Sequence, residues 1–150
     1  MAFRIAVVQT VDRQINQLQN NIKQAIEPLF ADQAGSWIAS LTGCTTVPQA
    51  KLYWEQAAQG GPVTISVTTP LFGTSNTSAA TITGLPKAFW PAQTQFVQIP
   101  ITDNGTTVMS TATIDSNGVF ALYKSLIGAS FTTSGFKGLY PCNFTYVLGI

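Results

Sequence analysis

The sequence predicts a mainly β protein with an N-terminal α-helix: an antiparallel, jelly-roll-like β-sandwich preceded by a short coiled-coil helix. Three observations lead to this fold class. Apolar residues follow a heptad pattern over residues 8–29, and Thr-rich alternating segments separated by turn residues fill the chain after Pro62. Only 9% of the residues are charged, against roughly 25% in average soluble domains. Thr, Ser, Asn and Gln must therefore supply most of the polar surface, and Thr is well suited to a half-buried β-strand.

The N-terminal segment, residues 1–35, is predicted to contain an oligomerisation helix. Its apolar residues are spaced alternately three and four apart, which is the pattern of a coiled-coil seam. The seam consists of Val8, Val11, Ile15, Leu18, Ile22, Ala25 and Leu29. β-branched residues at one core position and Leu at the other nominally favour a dimer. A seam this narrow can also pack on the chain's own domain, so the pattern leaves both arrangements open.

Residues 36–61 have a mixed pattern, and we interpret them as a connecting segment. The residues from Asp32 to Gly35 are typical of a helix exit, while Trp37, Ile38 and Leu41 are typical of an anchor. Residues 51–57 fit either a short strand or a helical turn. The sequence Gly60-Gly61-Pro62 indicates a sharp turn before the next domain.

Residues 62–150 are predicted to form the β-sandwich. Strands are expected at residues 63–67, 80–85, 96–102, 106–114, 119–123 and 142–150, where apolar and polar residues alternate or apolar runs are bounded by turn residues. Asn104-Gly105 is the strongest hairpin signal, because both residues readily adopt positive φ. The last strand stays apolar to its end, which predicts that it is paired inside the sheet.

The residues that enzymes use most often are missing or scattered, so we predict no enzymatic activity. The chain contains no histidine, which removes the usual general base and the Ser-His and Cys-His dyads. Its six carboxylates show no pattern of a converging pair; they are Asp12, Glu27, Asp32, Glu55, Asp103 and Asp115. Cys44 and Cys142 are expected to be free, partly buried thiols. We predict no metal site and no cofactor.

Charge and hydropathy narrow the range of partners. The formal net charge is +1 and the seven basic residues are scattered, which argues against a nucleic-acid partner. No apolar run approaches the roughly 18 residues that span a bilayer, so membrane insertion is not expected. The first residues lack the pattern of a signal peptide, which predicts synthesis in a cytoplasm.

Aromatic residues concentrate in the later strands and offer the one candidate recognition site. The group comprises Phe89, Trp90, Phe131, Phe136, Tyr140, Phe144 and Tyr146. We interpret most of them as core and subunit interface. A functional alternative is stacking against sugar rings, for which Trp90 and Tyr140 are the candidate glycan contacts.

An ordered set of short motifs resembles the C-terminal β-domain of tailed-bacteriophage fibres and other virion surface proteins. The motifs are Thr83-Gly84-Leu85-Pro86, Trp90-Pro91-Ala92, Asp103-Asn104-Gly105, residues 131–138 and residues 145–148. The ending of the helix, Ala25-Ile26-Glu27-Pro28-Leu29, is similar to that of short phage fibre proteins.

This resemblance implies a homotrimeric structural protein of the virion surface, made in the host cytoplasm. The chain would be a short fibre or spike on tail or head, attached to other virion proteins through its N-terminal region. Its β-domain would face outward, with host-surface glycan as a candidate ligand. The alternative is a trimeric capsid decoration or cement protein that stabilises the phage head.

Overall fold

The computed structural model describes residues 2–30 and 33–149, and the side chains of residues 10–27 and 33–149. One α-helix, α1, spans Ala2–Phe30, and a short 3-10 helix spans Lys87–Phe89. Ten strands follow: β1 Gln33–Leu41, β2 Gln49–Gln56, β3 Val63–Val67, β4 Leu71–Thr74, β5 Thr81–Thr83, β6 Gln95–Asp103, β7 Thr106–Ile114, β8 Phe120–Leu122, β9 Phe136–Leu139 and β10 Cys142–Tyr146. The predicted fold class, a mainly β protein preceded by one helix, is confirmed.

Helix α1 is longer than the heptad pattern indicated. It begins at Ala2, so the first residues of the chain are helical, and it ends at Phe30. Its 29 residues correspond to a rod of about 43 Å. On its surface Lys23 and Glu27, four residues apart, form an ion pair of 3.5 Å.

The ten strands form one antiparallel, curled sheet. Their order is β10-β3-β2-β1-β5-β8-β7-β6-β9-β4. The sheet curls until β10 contacts β6 across the interior, and the rings of Phe120 on β8 and Phe144 on β10 lie 5.3 Å apart between centroids. The Tyr146 hydroxyl donates to the Phe89 carbonyl oxygen, 2.8 Å away and buried. The result is a sandwich-like domain whose two halves stay hydrogen-bonded through β5 and β8.

Residues 36–61 are not a connecting segment, because they contain most of β1 and all of β2, in the middle of the sheet. Two features disguised these strands. The inward-facing residues of β1 include the small Ala39, and those of β2 end in a buried polar residue, Gln56. The Gln56 amide donates to the Gly61 carbonyl oxygen at 3.2 Å, which satisfies it without an apolar side chain. The β-domain therefore begins at Gln33.

The predicted turns form as expected. Asn104 and Gly105 have φ of 48° and 79°, the paired positive values that a tight hairpin between β6 and β7 requires. In the turn after β7, the Asp115 carboxylate accepts hydrogen bonds from the backbone N–H groups of Asn117 and Val119, both at 2.9 Å. These turns fix the register of β6, β7 and β8.

The last strand differs from its prediction. β10 pairs with β3 and stands at one end of the strand order, so it is not flanked by strands on both sides. Its apolar side chains are explained by the curl of the sheet, since Phe144 and Tyr146 are buried in the core. Two further strands, β4 and β9, were not predicted. Gly73 lies within β4, and β9 contains a lysine and a glycine in four residues.

Candidate oligomerisation helix and recognition surface

The apolar face of α1 is exposed along the part whose side chains are described. Every residue from 11 to 27 is exposed, including the seam residue Ala25. The exposed fractions of the large seam residues are 46% for Val11, 48% for Ile15, 59% for Leu18 and 47% for Ile22. Val8 and Leu29, the two ends of the predicted seam, lie outside the side chains that are described. The alternative in which this stretch packs on its own β-domain is not what the structure shows.

An amphipathic helix whose apolar face is exposed gains little stability from packing. Most helical stability in proteins comes from packing an apolar face rather than from intrinsic propensity. Full burial of an aliphatic side chain is worth about 1.5–3 kcal/mol, so covering these half-exposed residues would contribute about 1 kcal/mol each. The geometry of α1 therefore fits a surface that is completed by other chains.

Trp90 is not an open platform for a sugar ring. Its indole Nε1 donates to the Leu85 carbonyl oxygen at 3.0 Å, and the residue is only partly exposed. The ring covers Gly118, where an added Cβ would collide with it. The Lys87 ammonium lies 6.0 Å from the centre of the ring. The indole is thus engaged with the turn between β7 and β8 and with its own loop.

Tyr140 is more open, with 45% of its surface exposed, but it stands apart from Trp90. Its ring meets the edge of Phe72 at 5.2 Å between centroids, and its backbone N–H donates to the Pro100 carbonyl oxygen at 3.1 Å. Trp90 instead lies beside Gly118, beyond the end of β7 where Ile114 pairs with Gln95. Five residues of β6 separate the two positions, roughly 16 Å. The structure does not bring the two predicted glycan contacts into one site.

A groove on the outer face of β6 and β7 was missed by the sequence analysis. Its volume is about 540 Å³. The residues that line it include Phe96, Gln98, Thr111, Thr113, Tyr123 and Ile127. We call it the outer groove. Its signal was present in the sequence: Phe96 has the opposite parity to Val97, Ile99 and Ile101, so an alternating strand must turn it away from the core.

Lys137, on β9, is fully buried, and no sequence pattern indicated this. Its ammonium donates to the carbonyl oxygens of Thr77 at 2.8 Å and Ala79 at 2.6 Å, which holds the segment between β4 and β5 against β9. Burial lowers the pKa of Lys137, and the neighbouring Cys44 and Asp103 partly offset this by raising it. The residue is explained as a structural clamp.

Cys44 and Cys142 are both free thiols, as predicted. Burial raises the pKa of Cys44, although the neighbouring Lys137 lowers it in part. Burial also raises the pKa of Cys142 to about 11. Raised pKa values keep both thiols protonated and unreactive near neutral pH.

The carboxylates of the described residues serve separate roles. Asp103 accepts from the Thr132 hydroxyl at 2.7 Å and lies 3.6 Å from the Lys124 ammonium. Glu55 is exposed on β2, and Asp12 and Glu27 are exposed on α1; Asp32 lies outside the described residues. Within residues 2–30 and 33–149, no group of His, Cys, Asp or Glu side chains could hold a metal ion. No helix in that part of the chain is long and apolar enough to cross a membrane.

Comparison with known proteins assigns no family. No protein-family model matches the chain, and no curated protein sequence matches it. Among solved structures, the chain is similar to a reovirus attachment protein, sigma1, crystallised in complex with alpha-2,3-sialyllactose. The TM-score is 0.45 and the sequence identity 13%, covering 79% of this chain and 67% of that chain. A similarity of this size assigns neither a function nor a ligand.

Proposed function

We propose that this chain is a non-enzymatic structural protein of a tailed-bacteriophage virion, a short homotrimeric fibre or spike on the virion surface. In this proposal α1 joins three chains and attaches them to other virion proteins. The β-domain faces outward and binds a glycan of the host surface. The chain is made in the host cytoplasm and assembled there.

One observation carries the proposal: between residues 11 and 25, α1 presents an apolar heptad seam that its own domain does not cover. A seam of this kind is stable when the same seam of other copies covers it. The seam residues alone nominally favour two chains, while the resemblance to phage fibres favours three. We follow the resemblance, because contacts between three β-domains would outweigh a coiled coil of about three heptads.

The chemistry of the chain supports a role without catalysis. The sequence contains no histidine, Asp115 is engaged in its own turn, and Asp103 is engaged with Thr132. We expect no cleavage of capsule, lipopolysaccharide or peptidoglycan. Cleavage that disappears in Glu55→Gln or Asp103→Asn would contradict the non-enzyme assignment.

The decisive experiment is sedimentation equilibrium of the full chain at micromolar concentration. Three copies of a 16.0 kDa chain have a mass of 3 × 16.0, about 48 kDa, and a stable 16.0 kDa monomer would refute the trimer. Copy number per particle, measured by quantitative mass spectrometry, then separates the two virion roles. Tens of chains support a fibre, whereas hundreds support the capsid cement protein.

A further inference from the structure

We infer that the outer groove binds an uncharged saccharide, with Phe96 as the stacking residue and the strand side chains beneath it as hydrogen-bonding partners. This inference rests on the proposed attachment role of the β-domain and gives that role a specific site. It also moves the site away from Trp90 and Tyr140.

Phe96 exposes a large aromatic ring at the groove. Its side chain is 75% exposed on β6, while the neighbouring Val97 is buried. A phenyl face carries partial negative charge and attracts positively polarised groups, such as the C–H groups of a pyranose ring. A large aromatic ring left open beside a concave groove is therefore suited to receive a sugar.

Polar side chains with free hydrogen-bonding capacity lie beside that ring. The side chains of Gln98, Thr113 and Tyr123 line the groove, and none of them forms a hydrogen bond to another described residue. The Thr111 hydroxyl donates to the Leu126 carbonyl oxygen at 3.1 Å, so its lone pairs remain available. An amide and several hydroxyl groups match the alternating donors and acceptors of a sugar.

One wall of the groove is held in place by backbone hydrogen bonds of the chain itself. The Gly128 N–H donates to the Ser125 carbonyl oxygen at 3.1 Å, and the Lys124 N–H donates to the Ala129 carbonyl oxygen at 2.9 Å. This tight turn presents Ile127, which is 93% exposed, at the rim. Because the turn is held before a ligand arrives, binding costs little ordering entropy.

The lining also decides the class of ligand. None of the residues that line the groove is charged, so an acidic sugar or a phosphate would find no counter-charge there. The volume of about 540 Å³ lies within the range of ligand pockets, about 300–1,000 Å³. A contact with another copy of the chain would bury the amide and hydroxyl groups of the groove, which then need partners. A neutral sugar brings those partners with it.

The test uses the full chain and an array of neutral oligosaccharides built from glucose, galactose and N-acetylhexosamines, with sialylated glycans as the anionic comparison. We expect binding to neutral glycans, weakened roughly tenfold or more by Phe96→Ala and by Gln98→Ala. The matched control is Phe136→Ala, which removes another exposed phenyl ring at the opposite end of β6, where the Phe136 carbonyl accepts from Asn104. This control should bind like the unmodified protein.

Sedimentation of each variant separates the possible results. A wild-type trimer that binds no neutral glycan overturns the sugar site and leaves the fibre proposal standing. Phe96→Ala that dissociates the trimer, when Phe136→Ala does not, overturns it in favour of a subunit contact. Equal weakening by both variants also overturns it. A wild-type monomer that binds neutral glycans through Phe96 supports the site and refutes the trimeric fibre.

Discussion

Helix α1 leaves its described apolar face exposed, whereas the β-domain buries most of its large apolar residues in its own core. In α1 the hydrogen bonds are local, and the described apolar face remains in water. In the β-domain the contacts are long-range: Thr64 and Thr145, 81 residues apart, share a hydrogen bond of 2.8 Å between their hydroxyl groups. The difference indicates that the β-domain buries a core within one chain, whereas the described apolar face of the helix is left uncovered.

The strand order determines where the chain can be divided into fragments. A fragment beginning at residue 62 would lack β1 and β2, which stand between β3 and β5 in the sheet. A fragment that keeps the β-domain whole must begin at Gln33. Experiments that separate the helix from the β-domain are therefore better made by substitution in the full chain.

The largest effect is expected from opening the core of the β-domain. Phe120 is 1% exposed and packs against Phe144, so Phe120→Ala should lower the free energy of unfolding by about 3–5 kcal/mol. Urea unfolding followed by tryptophan fluorescence reports on this domain, since all three Trp residues lie in it. Phe96→Ala, which removes an exposed ring, should change stability by less than about 0.5 kcal/mol. Equal effects would mean that the core is not closed by one chain.

A second substitution is aimed at the helix alone. Leu18→Asp or Ile22→Asp should dissociate the oligomer, because an unpaired charge buried in the seam costs several kcal/mol. Asn20→Asp is the control, since two residues rotate the side chain by about 200° away from Leu18. Sedimentation equilibrium and circular dichroism should show monomers with less helix for the seam variants.

The β-domain of these seam variants should unfold at the same urea concentration as that of the unmodified protein. Normal assembly of either seam variant would show that α1 packs elsewhere. Loss of assembly in Asn20→Asp as well would show that the whole helix surface is used.

A smaller effect is expected at the buried Lys137. Lys137→Met keeps the length but removes the charged donor to the Thr77 and Ala79 carbonyl oxygens, which retain only the Ser75 and Thr77 hydroxyl groups as donors. We expect a cost of about 1–3 kcal/mol. Lys51→Met, at an exposed lysine on β2, should cost less than about 0.5 kcal/mol. Similar losses at both positions would contradict the structural clamp.

The same pair of variants tests the lowered pKa of Lys137. Between this lowered value and the ordinary 10.5, the unfolded chain binds more protons than the folded chain, so Lys137 adds stability as pH rises. The loss caused by Lys137→Met should therefore be larger at about pH 10 than at about pH 7. The loss caused by Lys51→Met serves as the baseline in the same two buffers.

The smallest effect concerns the reactivity of Cys142. Its pKa is raised by burial from 9.0 to about 11, so at about pH 8 its thiolate fraction should be roughly 100-fold below that of an unperturbed thiol. Alkylation of Cys142 by iodoacetamide in Cys44→Ser should be slower than that of an unperturbed thiol, but by less than the loss of thiolate, because a thiolate of higher pKa is the better nucleophile. The rate should not change when Leu18→Asp is added. Alkylation at the rate of an unperturbed thiol would show that Cys142 is not shielded by burial. Acceleration by the helix variant would show that the helix helps to cover it.

The sequence was informative wherever structure is local. The Asn104-Gly105 hairpin, the Asp115 turn and the burial of Val63, Ile65 and Val67 follow from residues that are close in the chain. β1, β4 and β9 escaped prediction, and β2 was left open between a strand and a helical turn. Two buried polar residues lie in these strands: Gln56 is satisfied by the Gly61 carbonyl oxygen in the following turn, and Lys137 by carbonyl oxygens about 60 residues away. Period-two patterns do not reveal a polar side chain that is buried and paired.

The two candidate sites, the seam of α1 and the aromatic residues of the β-domain, differ in the same way. The seam of α1 could be read from the sequence, because a helix places residues three and four apart on one face whatever surrounds it. The choice among the aromatic residues needed the structure, since Trp90 is covered by its contact with Gly118, whereas Phe96 stands beside the outer groove. Local spacing determines which side chains share a face. Only the long-range pairing of strands decides which of those faces remains open to a ligand.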